Sequence, residues 1–199
     1  MRLGYDGVVL AGGRSERFGK DKAMLTVRGE ALWERQCRVM RGVGAVRVLV
    51  GCGRQRVLSG GAEMVGDGVG EGPLAGIAAC ADRVRVGSMV MVCAVDSLGV
   101  GFAFWRRLKA EVRCGVGCIP VLAGRPQPLL GVYPWLALCG AERLLREGER
   151  RVGVWVDCCV AMGLVRKVEL PREWAGSVAN VNTEAEFDDW VRSDSGGVL

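Results

Sequence analysis

The sequence predicts a single-domain α/β fold in three layers, with a mostly parallel sheet covered by helices on both faces. Three observations predict it. Short apolar runs alternate with segments of helical period along the chain, which is the pattern of βα units. The run 89–95, Met-Val-Met-Val-Cys-Ala-Val, is apolar without a break, as a strand buried on both faces must be. The chain has 199 residues, enough for one α/β domain with a substantial core but cramped for two.

Residues 7–11 read as the first strand, opening into a polar glycine loop. A helix is expected over 31–41, with Leu32, Gln36, Val39 and Met40 near one face. Residues 46–50 are rich in β-branched side chains and read as a strand; 62–65 form a short one. Pro73 suits a first helical turn, continued over 74–81. After the buried strand 89–95, a helix is expected over 102–112. Strands follow over 116–122 and 129–133, then a helix over 135–146. Thr183-Glu184-Ala185-Glu186 fits the Ser/Thr-x-x-Glu capping box, which predicts a helix over 184–192. Only the tail, 193–199, reads as frayed.

Half of the residues are apolar and a quarter are charged, a balance that excludes disorder. The net charge is +5, and the arginines are scattered. A nucleic-acid binder would show a dense basic stripe interleaved with aromatics, so no nucleic-acid partner is expected. Nine cysteines occur with no histidine and no Cys-x-x-Cys pair. They read as small buried thiols of a reducing compartment rather than a zinc site or a disulfide framework. The stretch 86–105 is nearly charge-free and about long enough to span a membrane, but Asp96, with Gly87, Ser88, Gly99 and Gly101, interrupts it. A strand, a polar loop and a helix start explain it better. The protein is expected to be cytoplasmic, with no membrane partner.

In parallel sheets, ligands bind at the carboxyl ends of the strands where the strand order reverses. The places to look are therefore just after Ala11, Val65 and Val95. At the first stands Leu10-Ala11-Gly12-Gly13-Arg14-Ser15-Glu16-Arg17-Phe18-Gly19-Lys20-Asp21-Lys22. Gly12 and Gly13 lack side chains, so backbone N–H groups can approach an anion. Arg17 and Lys22 can supply positive charge to phosphate oxygens. The segment is neither a Walker A loop nor a dinucleotide fingerprint, and a basic surface turn is the alternative. At the second stands Asp67, which either bonds a ribose or base or serves a turn. The nearby Gly76 either admits a ligand or eases helix packing. At the third stands Asp96, placed to hold magnesium against phosphates or else to cap the helix near 102. Asn180 and Asn182 flank Val181, so in an extended segment both face one way; they bond a substrate or precede a helix. Residues 147–151 read as a solvated turn, from which Arg150 and Arg151 could reach an anionic substrate. The six tryptophans are expected in the core or at an oligomer contact.

Together these segments resemble the molybdenum cofactor guanylyltransferase family, part of a broader nucleotidyltransferase superfamily. The resemblance rests on Leu-Ala-Gly-Gly-x-Ser-x-Arg-x-Gly-x-Asp-Lys at 10–22, Gly-Pro-Leu-Ala-Gly at 72–76 and the Asp96 loop. It continues in Gln127-Pro128-Leu129, Gly148-Glu149-Arg150-Arg151-Val152 and Asn180-Val181-Asn182-Thr183, and so spans nearly the whole chain. It implies a Rossmann-like nucleotidyltransferase fold, with a nucleotide-binding half over 1–100 and an acceptor-binding half over 101–192. Leu10, Ala11, Gly12 and Gly13 would enclose the nucleotide, Lys22 would contact its phosphates, and Asp67 would contact the nucleoside. Asp96 would bind magnesium as the cofactor. Gln127, Arg150, Arg151, Asn180 and Asn182 would lie on the acceptor side. The chain departs from the family pattern in Ser97-Leu98, where the pattern has a Pro, in Gln127, where it has His, and in Gly51, where it has Asn. Leu-Ala-Gly-Gly, rather than Leu-Ala-Ala-Gly, favours GTP over CTP.

The implied reaction transfers GMP from GTP to the terminal phosphate of molybdenum-molybdopterin, giving molybdopterin guanine dinucleotide and pyrophosphate. Arg17, Lys22 and Asp96 would carry it by neutralising charge; no protein nucleophile is needed. A molybdoenzyme or its chaperone would receive the product. Three alternatives remain open at this point: a nucleotidyltransferase acting on another phosphorylated acceptor such as a sugar phosphate or phospholactate, a non-catalytic nucleotide- or cofactor-binding chaperone, and an anion-binding module for RNA.

Overall fold

A computed structural model of the chain describes residues 4–12, 21–52, 62–66, 72–178, 181 and 183–194. Its centre is built from strands β1 (Tyr5–Leu10), β4 (Ala45–Cys52) and β6 (Met89–Ala94), with two-residue strands β2 (Thr26–Val27) and β3 (Glu30–Ala31) forming a separate hairpin. β1 runs parallel to both β4 and β6, and β5 (Glu63–Gly66) runs parallel to β4. Beyond β6 come β9 (Val132–Pro134), antiparallel to both of its neighbours, then β7 (Gly117–Leu122) and β10 (Val165–Glu169), parallel to each other. With the short β8 (Arg125–Pro126) turned back on β7, the described residues form an eight-stranded sheet in the order 10-7-9-6-1-4-5.

The strand period of two puts alternate residues into two cores. Val9 faces a core shared with α1 (Leu32–Gly42) and α3 (Phe102–Lys109), and Phe187 of α6 (Glu184–Asp194) joins it. Val8 and Leu10 face the other core, with α2 (Pro73–Ala79), α4 (Trp135–Arg146) and α5 (Val152–Ala161). Val8, Val9, Val90 and Val92 are wholly buried, each contributing about 1.5–3 kcal/mol of burial. This is the expected three-layer arrangement. The tryptophans follow the core reading: Trp33, Trp105 and Trp155 are buried, and Trp155 stacks on Tyr133 with ring centroids 4.5 Å apart.

Local chemistry explains the element ends. Helix α1 begins where the Ala31 N–H donates to Glu34 Oε2 at 3.2 Å, and Gly44, at φ +97°, turns the chain into β4 in a conformation that only glycine adopts without strain. The expected capping box is present: Glu186 N–H donates to Thr183 Oγ1 at 3.2 Å, and Thr183 N–H to Glu186 Oε2 at 3.3 Å. The helix expected over 102–112 stops at Lys109, because the chain turns there to form an Arg113–Val116 bridge. The strand expected over 129–133 begins late, at Val132. Pro128 has no N–H for a ladder, and residues Pro128–Leu130 form a 3-10 turn, with Leu130 N–H donating to Gln127 O at 3.0 Å.

Among the described residues no helix is long and apolar enough to cross a membrane, and 89–94 is the buried strand β6 instead. No disulfide joins the nine cysteines; Cys37, Cys52, Cys80, Cys93, Cys118 and Cys159 are buried.

Candidate active site

The strand order reverses beside β1: the chain moves from β1 out to β4 and β5, then returns to place β6 on the other flank. Helix α1 lies on one face and α2 on the other, so the crevice at the carboxyl ends of β1 and β6 is the switch point where such sheets bind ligands. The Val95 N–H donates to Leu10 O at 3.0 Å and the Ala11 N–H to Gly51 O at 2.8 Å. Leu10 and Ala11 are buried and Gly12 is exposed. The chain therefore emerges at the crevice at Gly12, its direction fixed from both sides.

Gly51 and Gly76 allow the layers to close here. A Cβ on Gly51 would stand 3.2 Å from the carbonyl oxygen of Gly76, and a Cβ on Gly76 would stand 3.0 Å from Leu10 Cδ2. Of the two readings of Gly76, helix packing is the one the geometry bears out.

Lys22 opens a 3-10 turn, Lys22–Met24, capped by Asp21, whose Oδ1 accepts from the Ala23 N–H at 3.1 Å. Ala23 is fully buried, and the Leu32 N–H donates to Leu25 O at 2.9 Å, which anchors the turn to α1. From this base the Lys22 ammonium donates to Asp96 Oδ2 at 2.9 Å and to Val181 O at 2.7 Å. The Val181 N–H donates in turn to Asp96 O at 3.4 Å. Three segments remote in sequence thus meet at one ammonium. The Lys22 and Asp96 side chains retain 17% and 21% of their exposure, so the pair can be reached by a ligand.

Asp96 is not the cap of α3: that position is Gly101, without a side-chain cap bond. The neighbouring Cys93 thiol is pushed far above its usual range, first by burial and then by the Asp96 charge. It stays protonated and is no nucleophile. The other residues expected at the site divide in two. Gly13, Arg17, Asp67, Asn180 and Asn182 lie outside the described residues. Gln127 follows the β7–β8 hairpin, with its N–H on Pro120 O at 2.8 Å and its Nε2 on Arg125 O at 3.2 Å. Arg150 and Arg151 lie in the exposed turn before α5, and the hydrogen bonds of their side chains stay within residues 145–151. Arg151 first, and both backbone N–H groups, hold the Glu149 carboxyl down to about 2. Among the described residues no hydrogen bond links this turn or Gln127 directly to Lys22 or Asp96.

Sequence reasoning missed Val181, which acts through backbone atoms that carry no side-chain signal. It also missed what Gln36 and Arg35 do. Gln36 is fully buried and its Nε2 donates to Ser97 O at 2.8 Å; Arg35 Nη1 donates to Val100 O at 3.2 Å. A polar residue on the apolar face of α1 was the available signal.

A three-layer α/β fold with a lysine and a carboxylate gathered at the switch point of its sheet defines an open α/β protein whose ligand site lies at the carboxyl ends of the strands. Residues 7–156 match the family model of the MobA-like NTP transferase domain. An Opitutus terrae protein named "Probable molybdenum cofactor guanylyltransferase" is 40% identical over 92% of this chain and 92% of its own length. The chain belongs to the MobA-like NTP transferase family. Its fold is shared with molybdopterin-guanine dinucleotide biosynthesis protein A of Archaeoglobus fulgidus, at a TM-score of 0.75 and 23% identity, covering 96% of this chain and 100% of that one. It is shared also with a Mycobacterium tuberculosis H37Rv protein solved in complex with manganese, at a TM-score of 0.68 and 19% identity, covering 96% and 100%.

Proposed function

We propose that the protein transfers GMP from GTP to the terminal phosphate of molybdenum-molybdopterin, forming molybdopterin guanine dinucleotide and releasing pyrophosphate. The observation that carries the reading is the Lys22–Asp96 pair, 2.9 Å apart, at the carboxyl edge of the sheet. The name of the 40% identical relative supports the choice of nucleotide and acceptor.

The nucleotide lies along Leu10, Ala11, Gly12 and Gly13, with Asp67 on the nucleoside. Lys22 and Arg17 bring positive charge to the phosphate oxygens. The acceptor, held between Gln127, Arg150, Arg151, Asn180 and Asn182, directs a terminal phosphate oxygen at the α-phosphorus. A new P–O bond forms in line, the bond from the α-phosphorus to the bridging oxygen breaks, and pyrophosphate leaves with that electron pair. Positioning and charge neutralisation account for such a transfer.

Among the described residues no group of three or more Cys, Asp or Glu could cage a metal. A single partly exposed carboxylate fits magnesium, which keeps several waters and takes its other ligands from substrate phosphates. Asp96 would hold it, and the bound ion would neutralise charge on the phosphates. The protein is read as cytoplasmic, handing its product to a molybdoenzyme or its chaperone.

Pyrophosphate release tests the reading. It should require GTP, magnesium and the metal-loaded pterin together, and omission of any one should abolish it. Release that proceeds equally with a sugar phosphate in place of the pterin would assign another acceptor.

A further inference from the structure

The Asp96 loop is held from behind by α1, and the geometry points to Gln36 as the residue that positions the Asp96 carboxylate. This rests on the reading of Asp96 as the magnesium-binding residue.

The loop is a tight coil. Ser97 N–H donates to Ala94 O at 3.2 Å, Leu98 N–H to Asp96 O at 3.0 Å, and Val100 N–H to Ser97 O at 3.2 Å. Ser97 is 1% exposed, and its carbonyl also receives the Gln36 amide at 2.8 Å. Arg35, the preceding residue, fixes Val100 O from the same helix and lies 5.6 Å over the ring of Trp190 on α6. Adjacent residues of α1 therefore grip the Ser97–Leu98 peptide and the far end of the Asp96 loop.

Gln36 is an improbable residue for a purely structural role. It is completely buried, on the helix face that also buries Leu32, Trp33, Cys37, Val39 and Met40. Its Oε1 is buried with no hydrogen-bond partner. A buried amide that satisfies only half of itself gives back in desolvation much of what its one bond contributes. An apolar side chain of similar length would serve packing as well. What it would not supply is the N–H on Ser97 O, which fixes the Ser97–Leu98 peptide; the N–H of that same peptide donates to Asp96 O at 3.0 Å, and so the backbone that carries the carboxylate is held. Removing a residue that orients a metal ligand typically lowers metal affinity by about tenfold or more.

The test uses the full-length protein with GTP and Mn2+ as the probe ion, with free Mn2+ followed by electron paramagnetic resonance. Gln36→Met keeps the length and removes the amide; Val39→Ala weakens the same helix away from the loop; Asp96→Asn removes the carboxylate. Gln36→Met should weaken Mn2+ binding to the GTP complex by about tenfold, leave metal-free GTP binding unchanged, and move Tm by no more than about 3 °C. Val39→Ala should lower Tm without changing Mn2+ affinity. If Asp96→Asn weakens Mn2+ binding while Gln36→Met does not, Gln36 has no positioning role. If Gln36→Met and Val39→Ala weaken it equally, the effect is helix stability and the proposal is overturned. If Asp96→Asn leaves Mn2+ binding intact, the metal reading falls, and this proposal falls with it.

Discussion

Lys22 Nζ stands 2.9 Å from Asp96 Oδ2, across 74 residues of chain. The same ammonium holds Val181 O at 2.7 Å. One cation thus joins the turn after the glycine loop, the end of the central strand β6 and the segment that leads into α6. The two groups proposed to meet phosphate and metal are ion-paired with each other.

This pairing separates two roles. Lys22→Met removes the cation and leaves the Asp96 carboxylate in place. Loss of one charge-stabilising donor lowers kcat by about 10²–10³, whereas Mn2+ affinity in the GTP complex should not fall. Steady-state kinetics and ion binding on the same preparation measure both. A kcat within twofold of the parent would remove Lys22 from the reaction.

Gly51→Ala tests how the crevice is shaped. The added Cβ would meet the Gly76 carbonyl oxygen at 3.2 Å, a backbone atom that can yield only if α2 moves. Overpacking of this kind costs about 1–3 kcal/mol, and the strain falls where Gly51 O receives the Ala11 N–H. Urea denaturation should show the loss, and GTP should bind more weakly. Unchanged stability would show that α2 is not held against β4.

Stability should fall on the alkaline side. Burial raises the thiols of Cys37 to about 11 and of Cys118 and Cys159 to about 12, from a usual 9.0. Between those values the unfolded chain loses protons that the folded one keeps. The contribution is therefore complete below pH 9 and is lost progressively as pH rises towards 12. At pH 8 a thiol reagent should modify the exposed Cys114 and Cys158 first and leave these buried thiols intact. Rapid native-state labelling of Cys37 or Cys118, located by peptide mapping, would contradict the burial.

Thr183→Ala should destabilise the protein by about 0.5–2 kcal/mol, since it removes the side-chain half of the capping box. Helix α6 carries Phe187 into the core and Trp190 beneath Arg35, so its loosening should reach the Asp96 loop as a modest rise in the KM for magnesium. A change in Tm without any change in that KM would separate α6 from the site.

What was legible in the sequence was what single residues enforce. Pro73 and the 183–186 box mark helix starts because their chemistry fits few other places. Asp96 stands out because a carboxylate ends the most apolar strand. Helix α5 escaped because Val152, Gly153, Val154, Val156 and Val160 are poor helix formers; packing of Trp155, Val156 and Cys159 against the sheet decides it. The β2–β3 hairpin turns through Arg28 at φ 53° and Gly29 at φ 81°, and arginine gives no warning of a left-handed conformation. The link between Gln36 and Ser97 was hidden for another reason: a periodic pattern shows which face is buried, not what a buried amide will meet.

Product identification tests the central claim most directly. Protein, magnesium and metal-loaded pterin are incubated separately with GTP and with CTP, with Asp96→Ala in parallel, and the products are analysed by mass spectrometry. The account predicts molybdopterin guanine dinucleotide from GTP, none from CTP, and none from the variant. GTP bound but no dinucleotide formed, or a product that persists undiminished in Asp96→Ala, would contradict it.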